Sequence, residues 1–258
     1  MNTKLTKILD EFFSLGGNHD QIRLLEIRNQ LLDFLRIEEI LLAEHTDENL
    51  LIAKDAIRLI DASNIYVETT NRNLASIHVK PFFDRLRKNK EWSYCEIQLF
   101  VCAINYIEDA EDAVSLAEDA RLRLSEFKIV KPVDMLEGVL ACNLCSRLLY
   151  ALYFDNRLTD LTDNFYFWLE DQFIAWRNCL KDLENKNEQL EFLFLITEIR
   201  MALFQQDDQK MKRHRFILAQ NYDQQIIKTI KSGIHYYEYS DEYQQMRLRR
   251  LEINKCRR

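Results

Sequence analysis

Glycine and proline are almost missing from this chain: 4 Gly and 2 Pro in 258 residues. Average usage would give about 18 Gly and about 13 Pro at this length. Sandwiches and barrels need both residues for their many tight turns, because glycine alone reaches positive φ without strain and proline presets the turn backbone. Phosphate-cradling loops need glycine so that the backbone can approach the ligand closely. The shortage therefore argues against β-sandwiches, barrels and dinucleotide folds together, and leaves an all-helical chain with short polar connections.

Hydrophobic residues make up 47% of the chain and charged residues 30%, enough for a sizeable core and too apolar for a disordered chain. The 35 basic and 42 acidic residues leave a net charge of -7, which disfavours a surface built to hold nucleic acid along its length. No apolar run approaches the ~20 residues that span a bilayer. The opening MNTKLTKILDEFF carries two acids, Asp10 and Glu11, among its apolar residues and has no cleavage pattern, so it does not read as a signal peptide. Six cysteines without a secretory signal read as reduced thiols. The expected setting is cytoplasmic.

Helical periodicity recurs along the chain. Leu5, Ile8, Leu9, Phe12 and Phe13 follow the i, i+3, i+4, i+7, i+8 pattern of a buried helix face. Ile97, Phe100, Val101 and Ile104 begin the same pattern, as do Phe165, Trp168, Leu169, Phe173 and Trp176, and then Phe192, Leu195, Ile196, Ile199 and Leu203. Polar breaks at Gly16–Asn18, Thr46–Asn49, Asn71–Asn73, Lys88–Lys90, Asn185–Asn187 and Gln205–Gln209 separate the segments. Pro132 stands where a helix can begin, Pro81 is expected to do the same for the helix holding Phe82, Phe83 and Leu86, and Thr46, Asp47 and Asp134 are candidate N-caps. About eleven or twelve helices joined by short loops favour antiparallel hairpins stacked in series. The expected fold is all-α: a degenerate tetratricopeptide-like α-solenoid over 1–258 as one domain, with 233–258 as a capping helix and basic tail. The regular W-x2-L-G-x2-Y signature is absent.

Catalytic motifs are missing. The five histidines at 19, 45, 78, 214 and 235 are scattered, no G-x-S-x-G occurs, and no enzyme activity, cofactor or metal is expected. Cys142 and Cys145 form a C-x-x-C inside an apolar helical run without a second pair, so they read as small buried thiols, and Cys95, Cys102 and Cys179 read the same way. A redox or metal-responsive role for Cys142 and Cys145 is the weaker alternative. Asp109, Glu111 and Asp112 sit at a helix start, where acids favour the dipole.

Lys210, Lys212, Arg213 and Arg215 form one basic cluster, and Arg247, Arg249, Arg250, Lys255, Arg257 and Arg258 form another. An anionic partner is one reading; a solvated helix face is preferred, with Tyr236, Tyr237, Tyr239 and Tyr243 packing a capping helix. The segment LEGVLACNLCSRLLYALYF at 136–154 is more suggestive. Asn143, Arg147 and Tyr150 share one helix face, while Leu144, Leu148 and Ala151 share another and would pack inward. On a concave face an Asn amide can pair with a peptide backbone and an Arg fork can take a carboxylate; an Asn and an Arg solvated on the surface stand beside that reading. Arg200 and Arg85 join the candidate peptide-binding set on the same helix-face reasoning.

The stretch Glu91-Trp92-Ser93-Tyr94-Cys95-Glu96-Ile97-Gln98-Leu99-Phe100 resembles the W-x-Y-Y-E-[IL]-x-L-F stretch of the Rgg/GadR/MutR transcriptional regulators of Gram-positive bacteria. Ala141-Cys142-Asn143-Leu144 is similar to that family's Asn-bearing middle helix, and His235-Tyr236-Tyr237-Glu238-Tyr239 to its Tyr-rich C-terminal helix. The resemblance implies a tetratricopeptide-like domain that binds a short secreted pheromone peptide, with Asn143 as a peptide contact, and dimerises. It also implies a preceding helix-turn-helix domain; this chain begins within the sensor-like region, so DNA contact is expected only through a domain it does not contain. Cys95 stands in place of the family's second Tyr, and Val101-Cys102 in place of its frequent Gly-Asn. The expected function is thus the peptide-sensing, homodimerising regulatory domain of such a regulator. The alternative is a helical-repeat scaffold for a protein partner, with no small ligand.

Overall fold

The computed structural model describes residues 3–15, 20–41, 48–69, 71–128, 133–154, 162–181, 188–205 and 207–221. Among them there are ten α-helices, one 3₁₀ turn and no strands. The helices are α1 (Thr3–Ser14), α2 (Gln21–Leu41), α3 (Glu48–Thr69), α4 (Arg72–Lys88), α5 (Tyr94–Ala103), α6 (Ala110–Phe127), α7 (Val133–Phe154), α8 (Thr162–Cys179), α9 (Glu188–Gln205) and α10 (Asp208–Asn221), with the 3₁₀ turn at Ile104–Tyr106. The all-helical class expected from the glycine and proline shortage is what the described residues form. The expected capping helix at 233–258, the caps at Thr46 and Asp47, and Pro132 lie outside the described residues.

Packing divides the chain into two compact units, Met1–Leu144 and Cys145–Arg258, with the boundary inside α7. In the first unit α3 is the centre: it packs against α1, α2, α4 and α5. A helix surrounded in this way must be apolar on nearly every side, and Leu50, Ile52, Ala53, Ala56, Ile57, Leu59, Ile60 and Ala62 of α3 are all buried. Leu5, Ile8 and Leu9 bury the predicted face of α1, and Ile97, Phe100, Val101 and Ile104 that of α5 and its 3₁₀ continuation.

Local signals set several boundaries. Asn71 caps α4 by accepting from the Leu74 N–H at 3.1 Å. Ser93 and Glu96 form a reciprocal capping box on α5: the Ser93 hydroxyl accepts from the Glu96 N–H, and Glu96 Oε2 accepts from the Ser93 N–H at 2.7 Å. Asp109 Oδ1 accepts from the N–H groups of Glu111 (2.8 Å) and Asp112 (3.0 Å) at the start of α6. Asp109→Ala strands both donors, and we expect it to lower stability by about 1 kcal/mol in urea unfolding followed by circular dichroism. A change within error would show that solvent satisfies those donors equally well.

Two boundary expectations are corrected. Pro81 does not open a helix: it lies inside α4, nine residues past its first residue, Arg72. The carbonyl that Pro81 leaves unpaired in the i−4 pattern belongs to Ile77, and Ile77 and Pro81 are both exposed, so water can take the missing donor's place. Asp134 is not an N-cap, because α7 already begins at Val133; it acts from within the first turn, on the helix dipole.

Candidate functional site

The Trp92 stretch is a structural keystone of the first unit. Trp92 is buried; its Nε1–H donates to the Leu86 carbonyl at 3.0 Å in the last turn of α4. Its ring lies 5.5 Å from that of Phe100, which meets Phe83 edge-on at 6.4 Å, and the Arg123 guanidinium sits 4.9 Å above the indole. Glu96, besides closing the capping box, accepts from Arg85. Arg85 also donates to Asp55 Oδ2 through Nη2 (2.5 Å) and Nε (3.2 Å), and Arg58 Nη1 reaches Asp55 Oδ1 at 2.6 Å. The result is a chain Arg58–Asp55–Arg85–Glu96–Ser93 spanning α3, α4 and the start of α5, with Asp55 1% exposed.

This network gives Arg85 a setting that helix-face reasoning did not anticipate. Its fork is occupied by two buried carboxylates instead of facing a groove. Burial opposes its charge, but the hydrogen bonds and fields of Glu96 and Asp55 outweigh that and raise its pKa further.

Asn143 is half-buried and donates Nδ2–H to the Val101 carbonyl at 2.9 Å. Val101 lies in the last turn of α5, where carbonyls lack partners along the helix, so the amide pairs with backbone as expected, but with this chain's own. Arg147 is 3% exposed, not solvated on a surface. The reason is that α7 is apolar almost all round: Leu140, Ala141, Cys142, Leu144, Cys145, Leu148, Leu149 and Ala151 are buried beside it. That list includes the expected inward set of Leu144, Leu148 and Ala151 and both C-x-x-C thiols. Tyr150 is half-buried, and Arg200 donates Nη1–H to the Ser146 hydroxyl at 2.6 Å. Asn143 and Arg85 belong to the first unit; Arg147, Tyr150 and Arg200 belong to the second.

Cys102 and Cys179 are exposed and Cys95 is half-buried, which corrects their reading as buried thiols. Cys95 and Cys102 are seven apart and so share one face of α5. Cys179 continues the exposed i, i+4 row of Asp171 and Ala175 on α8.

The second unit contains a cavity of about 400 Å³ among α8, α9 and α10. Glu191, Leu195 and Glu198 of α9 fall at i, i+4, i+7, and Lys210, Arg213, His214 and Ile217 of α10 at i, i+3, i+4, i+7. Each set is a single helix stripe, and Arg177 of α8 completes the wall. Phe173 meets Phe194 at 5.6 Å, fastening α8 to α9 beside it. Asp207 Oδ1 accepts from the N–H groups of Gln209 (3.1 Å) and Lys210 (3.0 Å), fixing where the α10 stripe begins.

Charges in this cavity are unevenly matched. Arg177 pairs with Glu198, and Lys210 Nζ lies 3.4 Å from Glu170. His214 Nδ1 is 3.6 Å from Glu198 Oε2, beyond hydrogen-bond distance. Burial pushes the His214 pKa down, Glu198 pulls it up, and Arg177, Arg213 and Lys210 push it down again, so the imidazole is neutral near pH 7. No family model matches this chain, and neither a curated protein nor a solved structure does.

Sequence reasoning found Lys210 and Arg213 only as members of a basic cluster. The signal that was present, the 210, 213, 214, 217 stripe, needed His214 and Ile217 to be read with them. Among the described residues no group of three or more His, Cys, Asp or Glu is placed to hold a metal ion, and no helix is long and apolar enough to cross a membrane.

Proposed function

We propose that this chain is a ligand-binding regulatory domain of the kind the Rgg/GadR/MutR resemblance implies. In this reading it is cytoplasmic and non-catalytic, its helix hairpins form a tetratricopeptide-like array, and it binds a short signalling peptide and dimerises. The peptide favours one dimer arrangement, and that arrangement positions a helix-turn-helix domain that makes the DNA contact. The observation that carries the reading is the α8–α10 cavity, whose apolar walls at Leu195 and Ile217 lie between charged side chains of both signs. Concave sites with an apolar floor and a few convergent polar groups are where short ligands bind. Asn143 enters as a peptide contact only by exchanging the Val101 carbonyl for a peptide carbonyl.

Native mass spectrometry of the purified chain, alone and after incubation with the peptide fraction of the source organism's culture medium, tests this directly. A dimer carrying one peptide mass per protomer is the expected result. A bare monomer that takes up nothing overturns the proposal. It would favour a scaffold for a protein partner, a reading supported by the exposure of Phe167 (57%) and Ile174 (49%), seven residues apart on α8.

A further inference from the structure

Two charged side chains of the cavity have no ion-pair partner among the described residues: Arg213 on α10 and Glu191 on α9. The other charges lining it are already engaged. Arg177 serves Glu198, and Lys210 serves Glu170 and lies 3.4 Å from the Gln205 amide oxygen. His214 lies beside Arg213 on the same stripe, but its buried Nδ1 faces the Glu198 carboxylate at 3.6 Å. An anion is therefore favoured at Arg213, whose guanidinium fork has no carboxylate partner among the described residues. A cation is favoured at Glu191.

The separation of the two ends limits the ligand. His214 stands opposite Glu198 at 3.6 Å, and Glu191 is seven residues away from Glu198 along α9. At 1.5 Å of rise per residue that is about 10 Å. An extended peptide advances about 3.3–3.6 Å per residue, so two steps along it plus the reach of a lysine side chain cover that distance. Leu195 and Ile217 line the cavity between the two ends and suit apolar side chains.

We propose that the α8–α10 cavity takes the C-terminal three residues of a peptide, with the free carboxylate on Arg213 and a cationic residue at the third position from the end on Glu191. This rests on the peptide-binding reading above and adds the chemistry that selects the peptide. A segment in mid-chain has no terminal carboxylate to offer Arg213, so the cavity favours a free C-terminus over an internal segment. An acidic residue at the third position from the end meets Glu191 and is rejected.

The test uses the full chain and three tripeptide probes, measured by isothermal titration calorimetry: Lys-Leu-Leu as the free acid, Lys-Leu-Leu amide, and Glu-Leu-Leu as the free acid. The lysine acid should bind at least about tenfold more tightly than either of the others, the scale expected when a charge-assisted hydrogen bond is lost. Arg213→Ala should bring the acid down to the level of the amide, and Glu191→Gln should erase the preference for lysine over glutamate. Lys212→Ala, an exposed neighbour that does not line the cavity, should leave all three affinities unchanged. Equal binding of acid and amide would overturn the carboxylate assignment and leave the peptide reading standing. No binding of any probe by a chain that takes up a culture peptide in native mass spectrometry would overturn the cavity as the site. No binding in either experiment removes both.

Discussion

Arg85→Met should destabilise the Met1–Leu144 unit by about 3–5 kcal/mol, the cost of leaving buried charge without its partner. The substitution keeps much of the side chain's bulk and removes only the fork. It leaves Asp55, 1% exposed, with Arg58 alone, and Glu96, whose side chain is 5% exposed, with only the capping interaction at Ser93. At about 2–4 °C per kcal/mol for a chain of this size, the thermal midpoint should fall by about 10 °C. Thermal unfolding followed at 222 nm checks the prediction. A variant that melts within about 2 °C of the parent would show that the network contributes no net stability, as some buried ion pairs do not.

Trp92→Ala should cost a comparable amount, about 3–5 kcal/mol, for a different reason: an aromatic core side chain is removed and the surrounding structure collapses only partly. The indole touches Phe100, shelters beneath Arg123 and satisfies a carbonyl at the end of α4. Trp92→Phe separates these contributions. It keeps an aromatic ring and loses the bond to Leu86, so about 1 kcal/mol is expected from the hydrogen bond. Urea unfolding of the two variants in parallel gives the comparison. Equal losses for Ala and Phe would assign the whole effect to the hydrogen bond and none to packing.

Class was legible in the sequence because it depends on what every turn requires, and four glycines are too few for a sheet protein's turns. Buried faces were legible where a helix has one: Leu5, Ile8 and Leu9 follow directly from their spacing. Site residues were harder, because a helix-face argument sees only its own helix. Arg85 looked available since its partners are remote in sequence, Asp55 by 30 residues and Glu96 by 11. The Asn143 acceptor is 42 residues away. Spacing puts Arg147 on an open face with Asn143 and Tyr150, yet it is 3% exposed while those two are half-buried. Pro81 shows a statistical rule yielding to solvent, since an exposed helix face tolerates the lost bond that a buried one would not. The cavity was half-written in the basic cluster. Its acidic side, Glu191 and Glu198, comes from a neighbouring helix and has no signature beyond ordinary amphipathic spacing.

The neighbour-to-neighbour packing of the first unit also bears on how the chain is made. α1 meets α2, α2 meets α3, α3 meets α4 and α5 meets α6, while the step from α3 to α5 passes over a single helix. Contacts of this kind close short loops, so little chain entropy is lost before each gain in burial. During synthesis from the N-terminus, each of these helices leaving the ribosome finds an earlier helix already there to cover it. The order of translation and the order of packing coincide, and apolar helix faces are left uncovered only briefly.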